Sequence, residues 1–367
     1  MRIDLEALAH NFRIIAEHVK PANVMPIVKS NAYGHGLVPC ARALEAAGAA
    51  ALGVALLEEG IALRLGGIKA RIAVLGGIFT DQLQYFLEHD LEILASSVFK
   101  LKAIDEQAKA SKKKARVHLE VDTGMERIGV HYYTADTLFE AALACKNCEI
   151  VGVSTHFAAQ ERMDLSLTKL QLERFSESLK FFEKKSVAVP PRHAAASGAI
   201  LQYPAANLEL VRPGLMIYGV VPAPHLQGKL PLKPVMMLRS KVVYFKVVKA
   251  GTGVSYDHTW VAPRDTRVVT VPIGYGDGYL RGLSNAGQVL IRGKRYPIVG
   301  TVCMDQLMVD IGPNGVAHNG DEVVLIGKQG DDEITLEDLV GEISANPREF
   351  LVSINPRVPR EFKGIKR

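Results

Sequence analysis

The sequence predicts an α/β protein in which an N-terminal (β/α)8 barrel, residues 1–232, precedes a mostly β domain, residues 233–367. Three observations carry this. The chain has 367 residues, and at roughly 150 residues per domain that leaves room for one large and one small domain. Short apolar runs alternate with longer amphipathic ones through the first two thirds, the rhythm of a parallel sheet with crossover helices. After about Leu232 the texture changes to short β-branched runs separated by Gly, Pro, Asn and Asp.

In order, the strand-like runs are Val24–Val28, Ala51–Ala55, Ile72–Leu75, Glu92–Ala95, Arg116–Asp122, Ile150–His156, His193–Ala196 and Leu208–Val211. Between them helical spacing marks Cys40–Ala47, Asp81–His89, Val98–Ala110, Ala135–Cys145 and Ser166–Lys184, with Leu5–His18 before the first. Two features strain the barrel. Pro26 lies inside the first strand, where a central strand loses a ladder hydrogen bond. The gap before the last strand is also short for a helix. An open doubly wound sheet is the alternative. In the second domain the strands are Val242–Val248, Arg267–Val271, Gln288–Ile291, Tyr296–Val299, Leu307–Ile311 and Glu322–Ile326, with one helix at Leu336–Ile343.

Composition narrows the class. Hydrophobic residues make up 48% and charged residues 23%, which fits an ordinary globular chain and not a disordered one. The net charge of +5 is mild, and its densest basic run, Lys112-Lys113-Lys114, reads as a solvated turn and not a nucleic-acid patch. No secretory signal or bilayer-length apolar run is visible, so a cytoplasmic protein is expected. Four cysteines exclude a disulfide scaffold, and the single C-x-x-C, Cys145 to Cys148, reads as incidental, with no metal expected.

In a (β/α)8 barrel, chemistry gathers where strands end. The first strand leads to Lys29, the fifth to Asp122-Thr123-Gly124-Met125-Glu126-Arg127, the sixth to His156, the seventh to Ser197-Gly198, and the eighth to Arg212-Pro213-Gly214. Barrels often hold phosphate with the last two of these loops. A lysine at a buried strand end is desolvated, which favours amine chemistry. Taken alone, Lys29 reads as a strand-end charge, Ser197 as a helix cap and Gly214 as a turn. Their convergence on one face suggests a Schiff base to pyridoxal phosphate. Gly274-Tyr275-Gly276-Asp277-Gly278 lacks the helix that a nucleotide loop would need.

The chain resembles the bacterial alanine racemases, fold-type III pyridoxal-phosphate enzymes. The match is carried by Val28-Lys29-Ser30-Asn31-Ala32-Tyr33-Gly34-His35-Gly36, then Asp122 to Arg127, Thr155-His156-Phe157, Arg212-Pro213-Gly214, Val254-Ser255-Tyr256, Pro272 to Tyr275, Cys303-Met304-Asp305 and Arg357-Val358-Pro359-Arg360. The resemblance implies that Lys29 binds pyridoxal 5'-phosphate and serves as one base, with Tyr256 the second base from the partner subunit of a homodimer. His156 and Arg212 would stand behind Tyr256, and Arg212 would face the pyridine nitrogen. Tyr33, Ser197, Gly214 and Leu215 would hold the phosphate, and Arg127 the ring hydroxyl. Met304 and Arg127 would receive the substrate carboxylate, and Tyr275 and Arg281 would line the access corridor. The product would be D-alanine for peptidoglycan.

The sequence departs from the family in four places. Glu120 stands where a carbamylated lysine is usual, and its carboxylate is expected to supply the same charge. Arg348 stands where a tyrosine usually reaches the phosphate and narrows the pocket, so it is expected at the binding site. Thr301 replaces a corridor arginine and Ala196 an asparagine. These changes feed the alternative of a broader amino-acid racemase acting on serine or larger substrates. A decarboxylase and a cofactor carrier without turnover are the other rivals; Cys303-Met304-Asp305 disfavours the first, and the presence of Tyr256 disfavours the second.

Overall fold

The computed structural model describes residues 1–364. The chain forms two compact units. One is Leu8–Ala32 with Leu37–Lys233; the other is Met1–Ala7, Tyr33–Gly36 and the chain from Pro234 onward.

Strand β1 (Arg2–Asp4) belongs to the second unit, and the first is built on β2 (Asn23–Val24), β3 (Ala51–Val54), β4 (Arg71–Val74), β5 (Glu92–Ala95), β6 (Ala115–Asp122), β7 (Val130–His131), β8 (Cys148–Ser154), β9 (Arg192–Ala196) and β10 (Leu210–Arg212). Eight of these form one sheet in the order β2-β10-β9-β8-β6-β5-β4-β3, and β7 pairs beside β6. All these pairs are parallel. A bridge from Ile27 to Gly53 brings the two ends of the order together, giving a nearly closed barrel.

Pro26 explains why closure is by a bridge. The amides of Met25 and Ile27 donate to Val211 O and Pro213 O on the β10 side, both at 2.9 Å. Toward β3, Val28 donates to Gly53 O at 2.8 Å and Gly53 donates to the Pro26 carbonyl at 2.9 Å. Pro26 has no N–H to add. The expected strand Val24–Val28 therefore stops at Val24 as regular structure, while its neighbours keep the ring shut. The short gap is met by a six-residue helix, Ser197–Gln202, and one 3-10 turn, Pro204–Ala206. The expected helix Asp81–His89 begins as a 3-10 turn, Thr80–Gln82, and continues as Leu83–Glu88.

The barrel interior is polar along one line. On β6 the odd residues Val117, Leu119 and Val121 are buried apolar side chains, whereas the alternate set is Arg116, His118, Glu120 and Asp122. Successive strand residues face opposite sides, so a polar row runs up the inside of the barrel.

The second unit adds β11 (Met236–Lys241), β12 (Tyr244–Val248), β13 (Gly253–Val254), β14 (Trp260–Val261), β15 (Thr266–Val271), β16 (Gln288–Ile291), β17 (Lys294–Pro297), β18 (Leu307–Gly312), β19 (Glu322–Gln329), β20 (Asp332–Ile334) and β21 (Glu361–Lys363). Its largest sheet runs β17-β16-β19-β11-β1-β21, with β20 on β19. A smaller sheet, β12-β15-β18, packs Val248 and Val268 with Val254, Ala262 and Val299 into a core flanked by Trp260 and Met308. The expected run Val242–Val248 captures β12 but not β11. The expected helix Leu336–Ile343 is observed as Leu336–Gly341, started by a Thr335–Asp338 capping box.

Candidate active site

The carboxyl ends of the barrel strands carry seven of the sequence-marked residues: Lys29, Arg127, His156, Ser197, Arg212, Gly214 and Leu215. Lys29 opens an unusual segment. Ser30, Asn31, Ala32 and Tyr33 all have φ between 50° and 55°, the left-handed region. Each such non-glycine residue costs roughly 1–2 kcal/mol. Strain of this kind persists only where the surroundings enforce it. Glu59 does so from the first turn of helix Leu57–Leu65. Its carboxylate accepts the Ser30 amide at 2.5 Å and the Ala55 and Leu56 amides at 2.9 and 3.1 Å. Asn31 Oδ1 accepts the Leu37 amide at 2.8 Å.

Asp122 shapes the loop that carries Arg127. Its carboxylate accepts the amides of Gly124, Met125 and Arg127 at 2.8, 2.9 and 3.1 Å. Burial opposes ionisation of Asp122, but these backbone donors outweigh it and lower the pKa. Beside it, burial raises the pKa of Glu120, while Arg212, a hydrogen bond from the Ser154 hydroxyl and Arg127 favour the charged form. His156 lies just beyond β8, with its carbonyl held by Gln171 Nε2 at 3.0 Å.

On the other side of the mouth, Ser197 Oγ accepts the amides of Gly214 and Met216 at 3.1 and 3.3 Å. It thereby joins the start of helix Ser197–Gln202 to the start of the 3-10 turn Leu215–Tyr218. Two helical N-termini and a hydroxyl make an anion cradle.

Arg212 is the best-defined group. Its Nη1 donates to His193 Nδ1 at 2.5 Å and to His193 O at 2.7 Å. Its Nη2 donates to Thr155 O at 2.7 Å and Ala194 O at 3.2 Å, with His156 Nδ1 at 3.4 Å. The four terminal hydrogens are thus engaged, and Nε–H has no hydrogen-bond partner among the described residues. Burial lowers the Arg212 pKa, and Glu120 opposes that shift. An amine, an anion cradle and an available arginine N–H form a donor set that fits pyridoxal phosphate, which carries an aldehyde, a phosphate and a ring nitrogen acceptor.

Tyr33, Tyr256, Tyr275, Arg281, Met304 and Arg348 belong to the other unit. Three of its loops meet. The amides of Tyr275 and Gly276 donate to Cys303 O and Met304 O at 3.1 and 2.9 Å. Ser255 Oγ donates to Thr301 O at 2.6 Å, and Thr301 Oγ1 donates to Tyr256 O at 3.2 Å. Thr301 therefore braces the Tyr256 loop. Arg357 ties Asp277 to Asp305, at 2.8 Å each. Ser255, Asp257 and His258 around Tyr256 have φ of 67°, 59° and 45°. The side chains of Tyr256, Met304 and Tyr275 stand 67%, 53% and 43% exposed. Arg348 is half-buried on helix Pro347–Ser353, whose Ser353 hydroxyl donates to Gly278 O at 2.8 Å. Tyr33 is buried, and its neighbour Gly34 adopts φ +81° with its Cβ position only 2.1 Å from Leu351 O, so no other residue fits there.

Sequence reasoning missed Glu59, Glu92, His118 and His193. The last three are buried polar residues inside apolar strand runs. The alternation along β6 was the available signal for His118. Elsewhere, Asp105, Cys145 and Cys148 place a carboxylate oxygen and two sulfurs within 4.8 Å of one another, and burial raises the pKa of both thiols.

Residues 3–222 match the family described as "Alanine racemase, N-terminal domain", and residues 235–362 match "Alanine racemase, C-terminal domain". The chain is 44% identical to an alanine racemase of Carboxydothermus hydrogenoformans across 98% of both chains. The structure of alanine racemase from D-cycloserine-producing Streptomyces lavendulae superposes with a TM-score of 0.94 at 38% identity, covering 99% of this chain and 96% of that one. The Bartonella henselae alanine racemase, solved with covalently bound pyridoxal phosphate, gives a TM-score of 0.89 at 30% identity, covering 99% and 98%. The chain therefore belongs to the alanine racemase family, pyridoxal-phosphate-dependent isomerases of amino acids.

Proposed function

We propose that this protein interconverts L- and D-alanine with pyridoxal 5'-phosphate as cofactor, and that it supplies D-alanine for peptidoglycan. The full-length match to relatives named alanine racemase, across both domains, is the observation that carries the reading. A match to the barrel alone would leave Tyr256 unaccounted for.

Each residue has a task that its setting supports. The Lys29 amine holds the cofactor and takes or returns the α-proton on one face. Tyr256 does so on the other. A phenol is by nature a weak base at neutral pH, and His156 and Arg212 would assist it. Ser197 donates its hydroxyl to the phosphate, joined by the backbone of Gly214 and Leu215 and by the Tyr33 hydroxyl. The Nε–H of Arg212 would face the pyridine nitrogen. An arginine stays protonated there, so it would give the nitrogen no proton and leave the ring a weaker electron sink. That favours prompt return of the proton over transamination. The bound cofactor would delocalise the charge left at the α-carbon.

Arg127 and the Met304 amide receive the substrate carboxylate, while Tyr275 and Arg281 line the access route. The exposed Tyr256, Tyr275 and Met304 suit a homodimer in which each β domain completes the partner's site. Arg348 sets the size and charge of the pocket. Among the described residues no helix is long and apolar enough to cross a membrane, and we place the enzyme in the cytoplasm.

The test is chiral chromatography after incubating purified protein and pyridoxal phosphate with separate L-amino acids. Alanine racemised fastest by a wide margin supports the reading. Comparable conversion of serine or larger substrates selects the broader racemase, for which Arg348 and Thr301 are the responsible changes. No D-isomer from any substrate overturns both.

A further inference from the structure

A line of buried side chains runs behind Arg212, and none of the roles above uses it. His193 Nδ1 meets Arg212 Nη1 at 2.5 Å, and His193 Nε2 lies 2.9 Å from His118 Nδ1. His118 Nε2 lies 2.9 Å from Glu92 Oε2. At the far end, Glu92 pairs with Arg71 at 2.5 Å and Arg116 at 3.3 Å. Glu92, His118 and His193 are each at most 1% exposed.

The direction of every bond follows from the two ends. A guanidinium has only donors and a carboxylate only acceptors. His193 Nδ1 facing Arg212 must therefore be a bare acceptor. A neutral imidazole then carries its hydrogen on Nε2, which donates to His118 Nδ1. His118 in turn carries its hydrogen on Nε2 and donates to Glu92. Reversing both rings would aim an N–H at Arg212 and a lone pair at Glu92. Double protonation of either ring would set N–H against N–H or against the guanidinium. Burial, and then the charge of Arg212, keep the His193 pKa well below its ordinary value. Burial opposes ionisation of Glu92, but hydrogen bonds from His118 and Arg71 bring its pKa to about 2.

We infer that Glu92, acting through His118 and His193, is a positioning residue for Arg212. The carboxylate locks both histidines in the one tautomer that accepts from Nη1, and so fixes the plane of the guanidinium and the aim of Nε. The carbonyls of Thr155, His193 and Ala194 hold Arg212 in place but accept from any donor; the bare Nδ1 adds direction. This rests on the reading that Arg212 meets the cofactor. A carboxylate that fixes the tautomer and orientation of a histidine plays the same part at metal sites, where the histidine is the ligand.

The experiment has two arms. In the first, the full chain is labelled with 15N-histidine, and the imidazole nitrogens of His118 and His193 are recorded at neutral pH, assigned through His118→Gln and His193→Gln. Both rings are expected neutral, with Nε2 protonated and Nδ1 bare. The opposite tautomer, or an imidazolium, overturns the inference, and no variant at position 92 is needed to see it. In the second, Glu92→Leu and Glu92→Gln are compared in the cofactor-loaded enzyme. Glu92→Leu is expected to lower kcat by roughly tenfold or more, with KM within about twofold of the parent, and to shift the absorption band of bound pyridoxal phosphate. Glu92→Gln, whose amide oxygen still accepts from His118, is expected to restore most of both. An unchanged band and kcat in Glu92→Leu overturns the role. The expected tautomers in a parent protein that binds no pyridoxal phosphate would instead overturn the cofactor reading of Arg212.

Discussion

Glu120 is a carboxylate that burial pushes toward neutrality and that two arginines and a serine pull back. If it acts as the fixed negative charge beside Arg127, removing that charge while keeping the shape should loosen Arg127 and weaken its grip on the substrate carboxylate. Glu120→Gln is therefore expected to raise KM for alanine by roughly tenfold, the scale of one charge-assisted hydrogen bond, with a smaller change in kcat. Steady-state kinetics in both directions checks this, and unchanged KM values would sink it. Residues such as Lys29, Ser197 and Arg212 were legible in the sequence because a polar group ending an apolar strand has a defined place in a barrel. Glu92 and His193 were not. Each is a single polar residue within a hydrophobic run, and only the fold shows that strands far apart in sequence stack them into one line. Glu59 was hidden for another reason: two of its backbone partners, Ala55 and Leu56, are local to its own helix start, and the third, Ser30, lies in a left-handed segment that no glycine announces.

At the scale of strands, the line through β5, β6, β9 and β10 should also be felt as stability. Glu92 has a folded pKa of about 2 against an ordinary value of 4.5. A depressed carboxylate pKa stabilises the fold above the unfolded value, and that contribution is lost as pH falls through the folded one. Here it is worth roughly 3 kcal/mol at neutral pH and disappears between about pH 4.5 and pH 2. Denaturant titrations across that window should show a parent protein losing more stability than Glu92→Gln, which should start lower at pH 7 and fall less. Parallel curves would show that Glu92 is ionised no more readily in the fold than outside it. Strand positions themselves were mostly legible, since apolar runs of the right length mark them. Their ends were not. Pro26 cuts β2 to two residues because the missing N–H faces β3, and the β10 run slides to Leu210–Arg212, which puts Arg212 inside the sheet and not beyond it.

At the scale of the molecule, the change of texture near Leu232 pointed to a barrel followed by a mostly β domain, the architecture observed. It gave no hint that Arg2–Asp4 pairs with Glu361–Lys363 and with Met236–Met237 in the β sheet. Three residues are too few for a periodic signal, and their partners lie at the other end of the chain. The same limit applies to Tyr256. Its motif marks it as a candidate base, but only assembly decides whose Lys29 it serves. If each site takes Lys29 from one protomer and Tyr256 from its partner, two inactive variants should rescue one another. In a Lys29→Ala/Tyr256→Phe heterodimer, one site carries both changes and the other carries neither. Random pairing of equal amounts makes half the dimers mixed, each with one intact site of two, so about a quarter of the parent activity should return in a twofold-symmetric dimer. The variants should be unfolded, mixed and refolded together, because a tight dimer need not exchange subunits. Activity near that fraction places Lys29 and Tyr256 on different protomers in each site. Activity no higher than the sum of the separate variants means that one protomer supplies both bases, and the exposure of Tyr256, Tyr275 and Met304 would then need another cause.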